Sequence, residues 1–197
     1  MNELTMRQSR TKDHLKMALT VLIKDKGFHA VTVKDIVEQA KYNRSTFYVH
    51  YHDKYEVAEE LLQELLTGLV ESVRIPYKQR RSINTRQLKP SHFEIISYIY
   101  QNGFYFDLIN YDDTLPGLHR GFPNTILDIY KHQFAFQTLS DRPVNMDYFK
   151  HYIALGFYGL IQSWIQEGFR EPQETFIQEV IELSKTHIHS VQYIGDL

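Results

Sequence analysis

The stretch VTVKDIVEQAKYNRSTFYVHY, residues 31–51, carries two short helical patterns separated by three residues. Val33, Ile36, Val37 and Ala40 recur at the spacing of one helix face. Thr32, followed three places later by Asp35, has the form of a capping box. Asn43 offers a second N-cap, and beyond it Phe47 and Tyr51 are four apart and share a face. A helix, a turn KYN and a second helix have the proportions of a helix-turn-helix. Its second half, KYNRSTFYVHYHDKY (41–55), is dense in tyrosine, histidine and basic residues. It admits three readings: a metal or acid/base site, a buried aromatic core, or a surface for something negatively charged.

The flanking sequence favours the third. Upstream, Leu15, Ala18, Leu19, Leu22 and Ile23 make one apolar stripe, with Thr11 as its expected N-cap and Gly27 at the left-handed C-terminal position. Downstream, Asp53 and Glu56 can cap a long helix over 53–75 that carries Val57, Leu61, Leu65 and Leu69 and stops before Pro76. If Phe47 and Tyr51 hold the short helix to a core of Leu19, Ile36 and Val37, then Arg44, Ser45, Thr46, Tyr48 and His50 face outward. Donors near the N-terminus of a short helix suit the DNA major groove. Residues 1–55 hold 10 Lys/Arg against 6 Asp/Glu, a charge of +4, and the remainder carries −6. A basic head on an acidic body points to a polyanion partner at the N-terminal end. Residues 74–89 hold six basic and no acidic residues and read as a linker.

Other classes lack their residues. The chain has no Cys, which removes disulfides, thiol nucleophiles and thiolate metal sites. The pairs HYH (50–52) and HIH (187–189) sit at i and i+2, about 200° apart on a helix, so neither chelates from one regular helix. No metal or cofactor is expected. No glycine-rich phosphate loop, G-x-S-x-G elbow or placed carboxylate pair emerges, which leaves an enzyme as a remote alternative; Asp112 and Asp113 lie in a Pro/Gly loop that turn chemistry explains. No signal-peptide pattern opens the chain. The apolar run YIALGFYGLI (152–161) is about half of the ~20 residues that a membrane helix needs. A cytoplasmic address and no membrane contact are expected.

Residues 11–70 resemble the N-terminal domain of TetR-family transcriptional regulators. The resemblance runs through ALTVLIKDKGFHAVTVKDIVEQAKYNRSTFYVHYHDKYEVAEELL, with Gly-Phe after the first helix, Thr32, Phe47-Tyr48, Tyr51 and Lys54. It implies that Thr32, Tyr48 and Lys54 hold DNA phosphates, that Arg44, Ser45 and Thr46 read bases, and that His50 lies near the backbone. Ser45 departs from the Gly of many relatives, Tyr42 from an apolar residue and Tyr55 from Glu, so the operator sequence does not follow. Farther on, GFYGLIQSWIQEG and a last amphipathic helix resemble the family's C-terminal architecture only.

From residue 90 the helical period resumes, and no convincing strand appears, so the fold class is all-α. YDDTLPG and HRGFPN read as loops, followed by a helix over 124–138. The segment SYIYQNGFYFDLINY (97–111) has six aromatics in fifteen residues. Most should be core, yet tyrosines can line a mostly apolar pocket with a few polar handles. The resemblance implies such a pocket, with Tyr98, Phe104, Tyr105, Tyr130, Phe134 and Tyr152 as its candidate lining. Two helices, about 146–168 and 172–192, close the chain. Their stripes (Phe149, Tyr152, Ile153, Gly156, Leu160 and Trp164; then Phe176, Ile177, Val180, Ile181, Ser184 and Ile188) suggest a four-helix dimer interface. The expected protein is a homodimeric regulator with a DNA-binding head at 1–55 and an effector-binding, dimerising body at 56–197. It binds a palindromic operator as a repressor and is released by a small molecule. The alternative is a ligand-independent or protein-controlled regulator.

Overall fold

A computed structural model describes residues 3–76, 83–137 and 143–185 of the chain, with side chains from residue 8 onward. Helices α1 (Glu3–Lys26), α2 (Val33–Ala40), α3 (Arg44–His50) and α4 (Lys54–Arg74) come first. They are followed by α5 (Glu94–Gln101), the single turn α6 (Gly103–Phe106), α7 (Leu118–Gln133), α8 (Met146–Gln166) and α9 (Gln173–Lys185). Among the described residues there is no strand.

The local signals around the helix-turn-helix are realised as hydrogen bonds. Thr32 Oγ1 accepts from the Asp35 amide, while the Asp35 carboxylate accepts from the Thr32 amide and hydroxyl and pairs with Lys26 at 2.9 Å. The Thr32 hydroxyl and then Lys26 hold the Asp35 carboxyl well below the usual carboxylate range. Lys41 ends α2 in the left-handed region at φ 59°. Asp53 Oδ1 accepts from the amides of Tyr55 and Glu56 at 2.8 and 3.0 Å, and the Glu56 carboxylate reaches back to the His52 amide. Such caps satisfy donors that the first helical turn leaves unpaired.

Leu15, Leu19, Ile23, Ile36, Val37, Phe47 and Tyr51 are buried together, as the spacing predicts. The same cluster continues through Leu61, Leu65 and Leu69 of α4 into Ile96, Ile99, Phe122, Ile126, Ile161 and Phe176. Helix α4 therefore belongs to both halves, packing on α1 and on α5 and α7. Charge also fixes α1 on α4. The Lys16 ammonium, its side chain only 5% exposed, sits 2.6 Å from Glu64 and 3.5 Å from Glu60, and Lys12 lies 2.6 Å from Glu60. Burial alone would lower the Lys16 pKa; the hydrogen bond and charge of Glu64, then Glu60 and Asp13, overturn that and raise it.

Three expectations are corrected. Helix α1 starts at Glu3, so Thr11 is a buried mid-helix residue rather than a cap. HRGFPN is helical, because α7 runs from Leu118 straight through Pro123. Leu118, Phe122 and Ile126 are fully buried, and Gly121 lets the helix approach Leu66 of α4 so closely that a Cβ there would stand 2.9 Å from it. That burial outweighs the one hydrogen bond that proline removes. Third, Asp113 does more than shape its own turn: it binds His29, 84 residues earlier. The HIH histidines and Ile188 lie outside the described residues.

Candidate nucleic-acid interface

Helix α3 hangs from two side chains. Phe47 and Tyr51 are 0% and 2% exposed, and the Tyr51 hydroxyl donates to Glu60 of α4 at 3.2 Å. Burial, and then the neighbouring Glu60, raises the Tyr51 pKa, which keeps the phenol protonated as that donor. With this edge pinned, Arg44, Ser45 and Tyr48 stand exposed and Thr46 and His50 are half-buried at the flanks. Asn43 Oδ1 organises the helix start, accepting from the Ser45 hydroxyl, the Thr46 amide and the Thr46 hydroxyl at 2.7, 2.7 and 2.8 Å. With their protons turned to Asn43, both hydroxyls present acceptor lone pairs, which match the amino groups of adenine or cytosine.

The turn between α1 and α2 is gripped from two sides. From the loop before α7, Asp113 accepts the Phe28 amide on its carbonyl and the His29 amide on its carboxylate, both at 3.0 Å, and its second carboxylate oxygen meets His29 Nδ1. Gly27 makes this approach possible. Its φ is +78°, and a Cβ there would collide with the Asp113 carboxylate. Lys24 adds a 2.7 Å pair to Asp107. From the other side, the Lys54 ammonium donates to the carbonyls of Phe28, His29 and Val31 at 2.9, 3.0 and 2.8 Å and stands 4.6 Å from the Phe28 ring centre. Sequence reasoning missed the His29–Asp113 pair because its partners are 84 residues apart and neither carries a local motif. Gly27→Ala is expected to expel Asp113 and strain the left-handed turn by about 1 kcal/mol or more. Hydrogen exchange should then quicken at the Phe28 and His29 amides while the body keeps its protection.

Comparison with known proteins agrees with this geometry. Residues 18–61 match the model of bacterial regulatory proteins of the tetR family, and residues 86–186 match that of a transcriptional regulator C-terminal region. The chain belongs to the TetR family. That family is one of transcriptional regulators. An uncharacterized HTH-type transcriptional regulator of Bacillus subtilis (strain 168), YxbF, is 24% identical over 172 residues, or 86% of this chain and 43% of that protein. The chain thus spans less than half the length of that curated relative. A putative TetR-family regulator from Syntrophomonas wolfei superposes with a TM-score of 0.62 at 15% identity, covering 95% of this chain and 99% of its own. The dihydroxyacetone kinase operon activator DhaS does so at 0.57 and 16% identity, covering 88% and 93%. At these identities the structural likeness shows the fold.

Within this TetR-family regulator, two residues read as phosphate contacts have internal work. The Thr32 hydroxyl is engaged in the capping box. An ammonium has three protons, and Lys54 places all three on backbone carbonyls. Lys54→Ala is therefore expected to lower head stability by about 2 kcal/mol, read as a fall in melting temperature, with the salt dependence of DNA binding unchanged. A phosphate contact would give the opposite pattern: an unchanged melting temperature and a salt slope smaller by about one unit.

The six aromatics expected to line one effector pocket are dispersed instead. Tyr152 is 72% exposed, and Phe104 lies at the surface under the Lys24 ammonium. Tyr130 and Phe134 pack with Phe136, and Tyr130 also touches Phe157. Tyr98 and Tyr105 share a cavity of about 210 Å³ with Lys16, Glu64 and Asn102. The Tyr98 hydroxyl donates to the carbonyls of Glu64 and Leu65, and its pKa is pushed up to about 12 by burial and by Glu64 and Glu71.

The two closing helices also divide their stripes differently. Helix α8 is apolar on two faces. Ala154, Phe157, Ile161 and Trp164 are buried at home, while Tyr148, Tyr152, Leu155 and Leu160 are exposed alongside Gly156 and Gly159. Trp164 leaves the expected interface stripe, stacking on Phe176 at 4.3 Å and donating to the Glu171 carbonyl. The α9 stripe of Phe176, Ile177, Val180 and Ile181 is likewise buried within the single chain. Among the described residues no helix is long and apolar enough to cross a membrane.

Proposed function

We propose that the protein is a cytoplasmic, homodimeric repressor whose heads, residues 1–55, bind the two halves of a palindromic operator. The body, 56–197, holds the dimer. The carrying observation is the arrangement of α3, fastened by Phe47 and Tyr51 on one side and presenting Arg44, Ser45 and Tyr48 on the other. Two copies related by a two-fold axis place two such helices about one helical turn of DNA apart. The exposed apolar face of α8 supports that axis, with α9 flanking it through Leu183 rather than through its buried stripe.

Repression is proposed to end when a small effector enters the cavity beside Tyr98 and Tyr105. Its walls come from α1, α4, α5 and α6, so filling it would shift the head against the body. Such a ligand acts only if it binds the released state more tightly than the DNA-bound one. Selection of bound sequences from a random DNA pool in low salt tests the reading and should return a palindrome. Arg44→Ala should then relax preference at one or two base pairs per half-site, at a cost of roughly 1–3 kcal/mol for a bidentate contact. No enriched sequence, or enrichment that Arg44→Ala leaves untouched, would count against it. Transcription from a promoter carrying the palindrome separates repression from the activation that the name of DhaS describes.

A further inference from the structure

Val49 stands out among the side chains of the short helix. It is 73% exposed, although its neighbours Phe47 and Tyr51 are buried. With 3.6 residues per turn, Ser45 and Val49 lie about 160° from Phe47, one on each side of the line pointing directly away from the head core. The other exposed residues of α3, namely Arg44, Ser45 and Tyr48, all carry polar atoms. Valine is a poorer helix former than most surface residues, and among the described residues it is not packed against the core, so the fold gives no reason for it.

The major groove does. Guanine, cytosine and adenine are told apart there by their polar atoms, and thymine alone presents a methyl group. A hydrocarbon side chain at the most protruding point of the helix can offer no hydrogen bond. The group it matches is that methyl. We propose that Val49 is a specificity-determining residue that reads the 5-methyl of one thymine in each operator half-site. Ser45, one turn before it on the same face, would face an adjacent base pair. The assignment rests on the reading of α3 as the DNA-contacting helix.

The test uses the selected operator, remade with each thymine in turn replaced by deoxyuridine, which removes the methyl and nothing else. Wild-type protein should lose about fourfold in affinity per half-site at one thymine position, the worth of one buried methyl. Val49→Ala, at an exposed position and hence folded, should bind the thymine and uracil operators equally. Val49→Ile should keep the discrimination. If no thymine shows the effect, or Val49→Ala retains it in full, the assignment is overturned while the DNA-binding reading stands. If the wild-type protein selects no DNA sequence at all, both are overturned.

Discussion

Gly156→Glu is expected to give a folded monomer that binds its operator roughly 10²–10⁴-fold more weakly than the wild type, because linked binding of two heads confers an advantage of that order. The fold should survive the change. Among the described residues, a side chain built at Gly156 or Gly159 meets nothing within 4 Å in its own chain, and glutamate favours a helix over glycine by about 0.5–1 kcal/mol. In the proposed dimer the side chain would meet the second copy. Tyr148, Tyr152, Leu155 and Leu160 surround this strip and are exposed in the single chain. The two glycines permit close helix approach. Near a two-fold axis an introduced carboxylate faces its own image, and burying it unpaired is costly. Light scattering at micromolar concentration should report a monomer with an unchanged far-UV spectrum. A dimer of undiminished stability would place the interface elsewhere.

Phe47→Ala is expected to cost about 3–5 kcal/mol, the range for removing a fully buried phenylalanine, and to abolish operator binding. Helix α3 has seven residues, too few to persist without tertiary contacts. One of its two anchors would be gone, and Tyr51 alone, tied by its ring and its bond to Glu60, would remain. The loss should be local. Trp164 is the single tryptophan, buried in the body between Phe176 and Tyr100, and its emission should stay native while amide protection in α2 and α3 disappears. Phe47→Leu should recover much of the stability, since volume and apolarity are largely kept. A variant that keeps its α3 protection and binds the operator normally would contradict this account of how the helix is held.

The head was readable from residues 31–56 because its determinants are local. A cap and its partner stand three residues apart, as with Thr32 and Asp35 or Asp53 and Glu56, and a core face repeats every three or four. Phe47 and Tyr51 point inward for that reason, and Arg44, Ser45 and Tyr48 were readable as outward, whereas Thr46 and His50 are half-buried and the exposed Val49 was not singled out. Single-sequence patterns are silent on partners that lie far along the chain. Lys54 looks like a phosphate-binding lysine, yet its ammonium is taken by three carbonyls of a turn some 23–26 residues earlier. Asp113 looks like a turn residue, and no local signal joins it to His29. In the body, apolar residues encircle α8, so periodicity alone could not tell the stripe facing home from the stripe left exposed. The sequence by itself determined the helical class, the helix-turn-helix and the outward placing of Arg44, Ser45 and Tyr48, all set by interactions within a few turns of chain. The tertiary structure alone decided which aromatics share space, which α8 face is free and how the body grips the α1–α2 turn, because those outcomes depend on groups far apart in the chain competing for the same volume and the same hydrogen bonds.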